Sequence, residues 1–354
     1  MRAAVLYEVN KPLVVEEIDI DEPQRAQVMV RTAAAGVCHS DLHFIEGLWP
    51  YPLPVVLGHE ASGVVERVGE GVTAVQRGDH VILSFIPWCG ACRYCAGGRP
   101  FLCTQGGSRT MHLHKGDQPI YVFASVSGFA EYMVVPENGV VKIRDDAPLD
   151  KVALVGCGVM TGVGAVVNTA KVEAGSSVAV IGAGGVGLNV IQGAVLAGAA
   201  QIVAVDIREN KLEMARQFGA THTVNAATGD PVAAVRELTG GGPDYVFEVI
   251  GSPEAIAQAW DMVGAGGEVI VIGMVPFDSR VSINGRAFMR DKVLRGCVYG
   301  STRPLVDMPR IVDLYMAGRL KIDELVTRTY PLEGINDAFA AMKNGEVARS
   351  IIKF

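Results

Sequence analysis

The stretch from Ser177 to Asp206 constrains the fold of this chain more than any other. An apolar, strand-like run leads into Gly182-Ala183-Gly184-Gly185-Val186-Gly187, which has the spacing G-x-G-x-x-G. A helical pattern from Leu188 to Leu196 follows, and a second apolar strand ends at Asp206. A strand, a glycine turn, a helix and a second strand in this order are typical of a βαβ unit that holds a nucleotide.

Each residue type in this loop has a physical reason to be there. Gly182 permits the tight turn, Gly184 lets the backbone approach a pyrophosphate, and Gly187 lets helix and strand pack closely. Gly185 and Val186 complete the motif, and the N-terminus of the helix that follows offers free N–H groups to the phosphates. Asp206 can accept hydrogen bonds from ribose hydroxyls and repel a 2′-phosphate, which favours NAD over NADP. A plain packing turn with a strand-end cap, or a methyl-donor nucleotide, are the alternatives.

Strands and helical patterns continue to alternate through the middle of the chain. Helical patterns such as Glu209 to Phe218 and Pro253 to Val263 lie between the strands. Near-continuous Val/Ile/Ala runs are typical of strands buried on both faces, so we predict a doubly wound parallel sheet of class α/β. The six predicted strands are Ser177 to Gly182, Gln201 to Ile207, Thr221 to Asn225, Asp244 to Ile250, Glu268 to Met274 and Leu294 to Tyr299.

The sequence before and after this predicted sheet has a different hydrophobic pattern. Short strand-like runs separated by turns indicate an irregular, β-rich first domain. After about residue 300 the pattern turns to helices near Leu305 to Ala317 and Ile335 to Lys343. These changes of pattern divide the chain into a β-rich first region, a middle region of alternating strands and helices, and a last region with two helices.

Composition excludes several classes of protein. With 49% hydrophobic residues the chain can bury a core, which argues against disorder. The net charge of −7 and the absence of a basic stripe argue against a nucleic-acid partner. No residue from Ala174 to Val205 is charged, but its glycines and its polar Asn189 and Gln192 favour a buried interior over a membrane span. The N-terminus lacks an apolar signal region, so we expect a cytoplasmic protein.

Four cysteines lie close together as Cys89, Cys92, Cys95 and Cys103, spaced C-x2-C-x2-C-x7-C. Four thiolates at such spacing can bind one ion tetrahedrally and leave no open position, which predicts a structural zinc. An iron–sulfur cluster is the competing interpretation, although the spacing matches neither ferredoxin pattern. Four unrelated thiols are the remaining one.

A second set of metal-binding residue types is dispersed. Cys38 lies in the segment GVCHSDLH, His59 and Glu60 lie in GHE, and Cys157 lies in GCG. Two cysteines and one histidine form the ligand pattern of a catalytic zinc with a fourth position for substrate. The spacing cannot establish a shared site, because a free cysteine is most often a small buried hydrophobe and a lone histidine is most often part of a core.

These motifs together resemble a known family. The chain resembles the zinc-dependent, medium-chain alcohol dehydrogenases over essentially its whole length, and the match has five motifs in the family's order. The segment 156–171 looks most like the liver-type and glutathione-dependent formaldehyde dehydrogenase branch, whereas CHSDLH looks more like the yeast-type branch. The motifs are GVCHSDLH at 36–43, GHE at 58–60, the cysteine lobe at 89–103, GCGVMTGVGA at 156–165 and GAGGVG at 182–187.

The resemblance implies two domains, an irregular β-rich GroES-like catalytic domain from 1–158 and 300–354 and a Rossmann NAD-binding domain from 159–299. It also implies roles for individual residues. Cys38, His59 and Cys157 match the catalytic zinc ligands, and Glu60 matches a carboxylate that can approach the metal. Asp41 matches the acid that orients the ligand histidine. The hydroxyl that accepts the substrate's proton and the surface end of the proton relay match Ser40 and His43.

The resemblance also assigns residues to the coenzyme and the substrate. Lys211 matches a contact to the adenosine ribose and Arg349 a partner of the pyrophosphate. His39 stands where liver-type enzymes often have arginine, and Thr161 belongs to a coenzyme-binding motif. The positions that would line the substrate pocket are Phe85, Phe123, Ala124 and Met274.

The implied function is hydride transfer between a small alcohol and NAD, with one catalytic and one structural zinc per chain. The resemblance suggests a homodimer or a homotetramer, with neither nucleic acid nor membrane as a partner. A dehydrogenase for the S-(hydroxymethyl) adduct of a thiol is one alternative, for which Arg109 and Lys115 are the nearest cations. An alcohol dehydrogenase that keeps NAD tightly bound is the other.

Overall fold

The computed structural model describes residues 1–107 and 111–354, which form two compact units. The first unit comprises Met1–Gly158 and Thr302–Phe354, and the second comprises Val159–Ser301. The chain thus leaves the first unit directly after Gly158 and returns to it at Thr302.

The helices and strands of the described residues are numbered in chain order. The strands are β1 Arg2–Leu6, β2 Val14–Glu17, β3 Asp19–Ile20, β4 Gln27–Val37, β5 Val55–Val56, β6 Glu60–Val68, β7 His80–Leu83, β8 Leu113–Lys115, β9 Gln118–Val122, β10 Tyr132–Pro136, β11 Val140–Lys142, β12 Ser177–Ile181, β13 Gln201–Asp206, β14 His222–Asn225, β15 Tyr245–Glu248, β16 Glu268–Val271, β17 Val293–Gly296, β18 Val326–Tyr330 and β19 Arg349–Lys353. The α-helices are α1 His39–Ile45, α2 Arg93–Ala96, α3 Leu149–Val152, α4 Gly158–Gly164, α5 Gly185–Ala197, α6 Glu209–Phe218, α7 Pro231–Leu238, α8 Pro253–Met262, α9 Pro304–Met316 and α10 Ile335–Lys343.

The second unit contains the predicted doubly wound sheet. Its strands run in the order β14-β13-β12-β15-β16-β17, and every pair is parallel. The predicted fold class is confirmed, since all six predicted strands are present. The order reverses between β12 and β15, where the carboxyl ends of two neighbouring strands open a crevice typical of ligand binding. Trp260 is fully buried in the core beneath this sheet.

One helix of the second unit does not follow from the apolar pattern alone. Helix α7 begins at Pro231 after Asp230, whose carboxylate accepts hydrogen bonds from the backbone N–H groups of Val232 (2.9 Å) and Ala233 (3.3 Å). The Asp-Pro pair is also a common turn signal, so the local sequence does not distinguish a capped helix from a turn.

The first unit is built around the long strand β4. Its neighbours are β6, β10 and β19, all antiparallel to it. The C-terminal strand β19 pairs Ser350 with Val37 and Ile351 with Gly36. This pairing returns the end of the chain to the first unit and brings Arg349 beside the last residues of β4.

In the part of the chain that the structure describes, no single helix is long and apolar enough to cross a membrane. One bent pair, Leu149–Gly156 with Gly158–Ala170, meets the requirement only when its two helices are counted together.

Candidate active site and coenzyme loop

The end of β4 and the start of α1 place the first group of predicted residues. Cys38 lies between the strand and the helix, in an extended conformation (φ −122°, ψ 148°). Helix α1 begins at His39, so Ser40 and Asp41 lie in its first turn. Asp41 is buried, whereas the side chain of His39 is on the surface.

The dispersed residues of the second set converge in the first unit. Cys38, His59, Glu60 and Cys157 are all buried, and one donor atom from each lies within 4.8 Å of the others. Sulfur and imidazole donors favour zinc, whereas magnesium and calcium prefer an all-oxygen set. Cys38, His59 and Cys157 would hold the ion, and Glu60 lies close enough to approach it.

Asp41 orients the imidazole of this cluster. One carboxylate oxygen of Asp41 lies 3.1 Å from His59 Nδ1 and also accepts a 3.0 Å hydrogen bond from the backbone N–H of Gly58. Burial opposes the charged imidazolium, but Asp41 and the neighbouring Cys38 hold the pKa of His59 well above its usual value. A carboxylate on Nδ1 fixes the ring and leaves Nε2 for a metal.

The two thiols of the cluster differ in their readiness to ionise. The contact with Cys157, together with the charge of Arg349, holds the pKa of Cys38 well below its usual value. The same contact and burial raise the pKa of Cys157. A thiolate is therefore favoured at Cys38 in the protein alone, and the thiolate is the form that binds a metal.

Glu60 forms a buried ion pair with Arg349. The carboxylate lies 3.2 Å from the guanidinium, which also donates a 3.3 Å hydrogen bond to the carbonyl of Val37. Burial raises the pKa of Glu60 to about 7, although the arginine opposes that shift. A side chain at position 158 would overlap the guanidinium, so Gly158 leaves room for Arg349 in this position.

The predicted relay residues lie on successive turns of α1. Ser40 Oγ lies 3.7 Å from Cys38 Sγ. His43 is half-buried, and its Nδ1 atom has no hydrogen-bond partner among the described residues. Burial lowers the pKa of His43. Passage of a proton from Ser40 to His43 stays a prediction.

Aromatic side chains surround the histidine of the cluster. The ring of His59 lies 5.3 Å from Phe85 and 6.0 Å from Phe123, both edge-on. Phe123 in turn packs against Phe44 (4.7 Å) and Tyr51 (5.2 Å). Of the other predicted pocket residues, Ala124 follows Phe123 with φ at +51°, and Met274 belongs to the second unit.

The second metal cluster contains the four closely spaced cysteines. One sulfur from each of Cys89, Cys92, Cys95 and Cys103 lies within 4.8 Å of the others. Backbone N–H groups point at these sulfurs, from Cys89 to Cys103 and from Cys92 to Cys89, each at 3.3 Å. Hydrogen bonds of this kind stabilise thiolates. Four sulfurs and no other ligand type fit a structural zinc.

The glycine loop of the second unit has the shape that a pyrophosphate needs. Gly182 has φ at +100°, and a side chain at Gly187 would overlap the carbonyl oxygen of Gly182. A side chain at Gly184 would meet no atom within 4 Å, so that face of the backbone is open to a ligand. The carboxylate of Asp206 accepts hydrogen bonds from Ala183 N (2.8 Å) and Arg208 N (3.0 Å).

Comparison with known proteins identifies the family. Residues 24–145 match the alcohol dehydrogenase GroES-like domain, and residues 185–315 match the zinc-binding dehydrogenase domain. Alcohol dehydrogenase class-3 of Drosophila melanogaster is 42% identical, covering 100% of this chain and 97% of the relative. This chain belongs to the zinc-dependent medium-chain alcohol dehydrogenases.

Two further members of the family are similar over their whole length. The S-(hydroxymethyl)glutathione dehydrogenase of Paracoccus denitrificans is 40% identical, covering 100% of this chain and 99% of the relative. Benzyl alcohol dehydrogenase from Acinetobacter calcoaceticus, whose crystal structure is known, is 37% identical in sequence. Its structure matches this one with a TM-score of 0.94, covering 100% of this chain and 99% of that chain. This medium-chain alcohol dehydrogenase is therefore a zinc- and NAD-dependent oxidoreductase that transfers a hydride between an alcohol and NAD.

Several predicted residues lie apart from these clusters. Lys211 is on α6 and Thr161 is a buried residue of α4, both in the second unit. Arg109 lies outside the described residues. Phe44 and Tyr51 were not predicted from the sequence, although Phe44 directly follows the motif at 36–43 and was a usable signal. Glu248, a buried acid at the end of β15, was also missed.

Replacing one proposed zinc ligand and one buried cysteine outside both clusters tests whether the clustered cysteines bind metal. We expect Cys157→Ala to lose one of two zinc ions per chain and nearly all turnover, because only two strong ligands remain at that site. Elemental analysis measures the zinc content, and the rate of NAD reduction measures turnover. The matched control is Cys297→Ala, a buried cysteine beside Thr169. Retention of both zinc ions by Cys157→Ala would contradict the assignment.

Substitutions at two glycines of the loop should differ in their effect on the free energy of unfolding. Gly184→Ala should fold normally but bind NAD at least about tenfold more weakly, because the added methyl group occupies the open face. Gly187→Ala should also lose about 1–3 kcal/mol of unfolding free energy through overpacking against Gly182. Urea unfolding and NAD titration distinguish these outcomes. Equal stability of the two variants would refute the packing role of Gly187.

Proposed function

We propose that Cys38, His59 and Cys157 hold the catalytic zinc of this enzyme and that the second unit's glycine loop holds NAD. The observation that carries the proposal is the convergence of these three buried side chains with Glu60. When bound, zinc would supply a Lewis acid that acidifies an alcohol, and NAD would supply the hydride acceptor.

The protein's own residues then have distinct tasks. Asp41 holds the ring of His59 in one orientation through Nδ1. Ser40 accepts the proton that the alcohol releases, and His43 delivers it towards water. A histidine suits that last step because it titrates near neutral pH. Arg349 balances the charge of Glu60 inside the unit, so this carboxylate can stay buried without metal contact.

We propose that the substrate is a small apolar or aromatic alcohol rather than a thiol adduct. The supporting observation is the set of rings around His59, which offers apolar contact to a flat or aliphatic group. A thiol adduct such as S-(hydroxymethyl)glutathione needs cations for its carboxylates. Lys115, one of the two expected cations, instead forms an ion pair with Glu16.

The coenzyme preference rests on Asp206. Both of its carboxylate oxygens already accept backbone hydrogen bonds, which fix the carboxylate at the end of β13. A fixed negative charge at this position accepts hydrogen bonds from ribose hydroxyls and repels a 2′-phosphate. NAD is therefore favoured over NADP.

A substrate panel tests the proposed substrate class. NAD reduction is measured with ethanol, hexanol, benzyl alcohol and S-(hydroxymethyl)glutathione. We expect kcat/KM for benzyl alcohol to exceed that for the adduct by at least about tenfold, and Phe123→Ala to reduce this ratio. Tyr94→Ala, which removes a ring from the cysteine lobe, is the control. A higher kcat/KM for the adduct would reverse the assignment.

We also propose that the enzyme is a homodimer joined through the second unit. Strand β17 is the edge of its sheet. Exposed apolar side chains lie on this strand, at Val293, and on either side of it, at Phe288, Met289 and Val298. An edge strand with apolar neighbours is a ready template for pairing with a second copy. None of the seven cysteines, all of which lie in the described part of the chain, forms a disulfide, which fits the expected reducing cytoplasm.

Charge on this edge should separate the subunits. We expect the double variant Val293→Glu with Val298→Glu to sediment as a monomer, because like charges would face each other across the dimer axis. Val195→Glu, at an exposed position of α5, is the matched control and should keep the native mass. A dimer or tetramer that survives the double variant would place the interface elsewhere.

A further inference from the structure

Glu248 stands at the point where the strand order of the second unit reverses. It is the last residue of β15, and it pairs with Ile181, which directly precedes the glycine loop. Its side chain is fully buried although it is acidic. Burial of a carboxylate is costly unless it accepts hydrogen bonds, so its partners indicate why it is there.

The partners of Glu248 are backbone groups on two neighbouring segments. Its side-chain Oε1 atom accepts hydrogen bonds from Ile250 N (2.8 Å) and Gly251 N (2.7 Å). Its backbone carbonyl accepts from Ile272 N (2.8 Å) and Gly273 N (3.1 Å). One residue therefore ties the turn after β15 to the chain that leaves β16.

The turn that Glu248 holds lies directly against the glycine loop. A Cβ atom on Gly182 would lie 2.9 Å from a side-chain carbon of Ile250 and 3.0 Å from one of Val249. A Cβ atom on Gly187 would lie 3.3 Å from the same Val249 side chain. These distances leave no room for a side chain at Gly182, so the Val249 and Ile250 side chains pack directly against the backbone of the loop.

The opposite side of the turn is equally constrained. Gly251 has φ at +84°, and a side chain there would collide with the backbone of Met274. The turn is thus confined between the glycine loop and the segment that follows β16. Glu248 supplies the hydrogen bonds that keep this turn in one conformation.

The surroundings of Glu248 are unfavourable for a carboxyl that serves only to fill space. Burial raises the pKa of this carboxyl, while the N–H groups of Gly251 and Ile250 oppose the shift. Its Oε2 atom has no hydrogen-bond partner among the described residues. An apolar side chain would fill the same space at less cost, but it could not hold the turn.

We propose that Glu248 is a positioning residue for the coenzyme, acting through Ile250 and Gly251 on the phosphate-binding loop. It pre-organises the loop before NAD arrives, so that less ordering remains to be done on binding. It need not touch NAD for this purpose. The proposal concerns coenzyme binding alone and is independent of the zinc ligands and of the proton relay.

The test compares variants that keep or remove the hydrogen-bond acceptor. Glu248→Gln retains a carbonyl oxygen for both N–H groups, and we expect its Kd for NAD to stay within about threefold of the parent. Glu248→Leu leaves both N–H groups unpaired, and its Kd should rise at least about tenfold. Fluorescence titration with NAD in the absence of alcohol measures both values on the zinc-loaded protein, whose zinc content should be unchanged.

A matched acid on the same sheet controls for general destabilisation. Glu268 is partly buried at the opposite end of the neighbouring strand β16 and pairs with Arg295 at 2.8 Å. We expect Glu268→Leu to lower Tm while leaving the Kd for NAD unchanged. An equal loss of NAD affinity in Glu268→Leu would show a general stability effect and overturn the proposal.

Two other results would contradict the proposed role of Glu248. Parent-like NAD binding by a folded Glu248→Leu, or a Glu248→Gln variant as weak as Glu248→Leu, would overturn the proposal. If Glu248→Leu does not fold, Glu248→Asp replaces it, because the shorter carboxylate cannot reach both N–H groups. A Kd for Glu248→Asp well above that of Glu248→Gln supports the proposal, and equal values contradict it.

Discussion

The buried ion pair between Glu60 and Arg349 is the interaction on which the catalytic unit depends. Each partner comes from a different end of the chain, and each would be an uncompensated charge without the other. Leaving one member of a buried pair alone typically costs about 3–5 kcal/mol. The pairing of β19 with β4 is what brings the two together, so the sheet and the site form as one structure.

Parts of this molecule could be predicted because their signals are local. The glycine loop, the four cysteines of the lobe and the parallel strands each occupy a short stretch whose spacing reflects one physical requirement. The loop needs a tight turn at Gly182 and close packing at Gly187, and both requirements are visible in the sequence. The resemblance to the family supplied the dispersed zinc ligands, which spacing alone left undecided.

Other features could not be predicted because they depend on contacts between distant segments. The ring of Phe123 meets Phe44 and Tyr51 only after helix α1 and the residues that follow it pack against the segment after β9. Helix α7 begins with an N-cap at Asp230, and the Asp-Pro sequence at this point is equally typical of a turn. Glu248 looks like an ordinary residue at a strand end until its two neighbouring N–H groups are seen to share one oxygen.

The discontinuity of the first unit has a consequence for how the chain is made. Arg349 and Val37, which share a hydrogen bond, are 312 residues apart, and the whole second unit is inserted between them. During synthesis the inserted unit can complete its own sheet before β19, a pairing partner of β4, has been made. An unpaired strand edge of this kind is open to association with other chains. The period before β19 emerges is therefore the time at which a nascent chain most needs a chaperone.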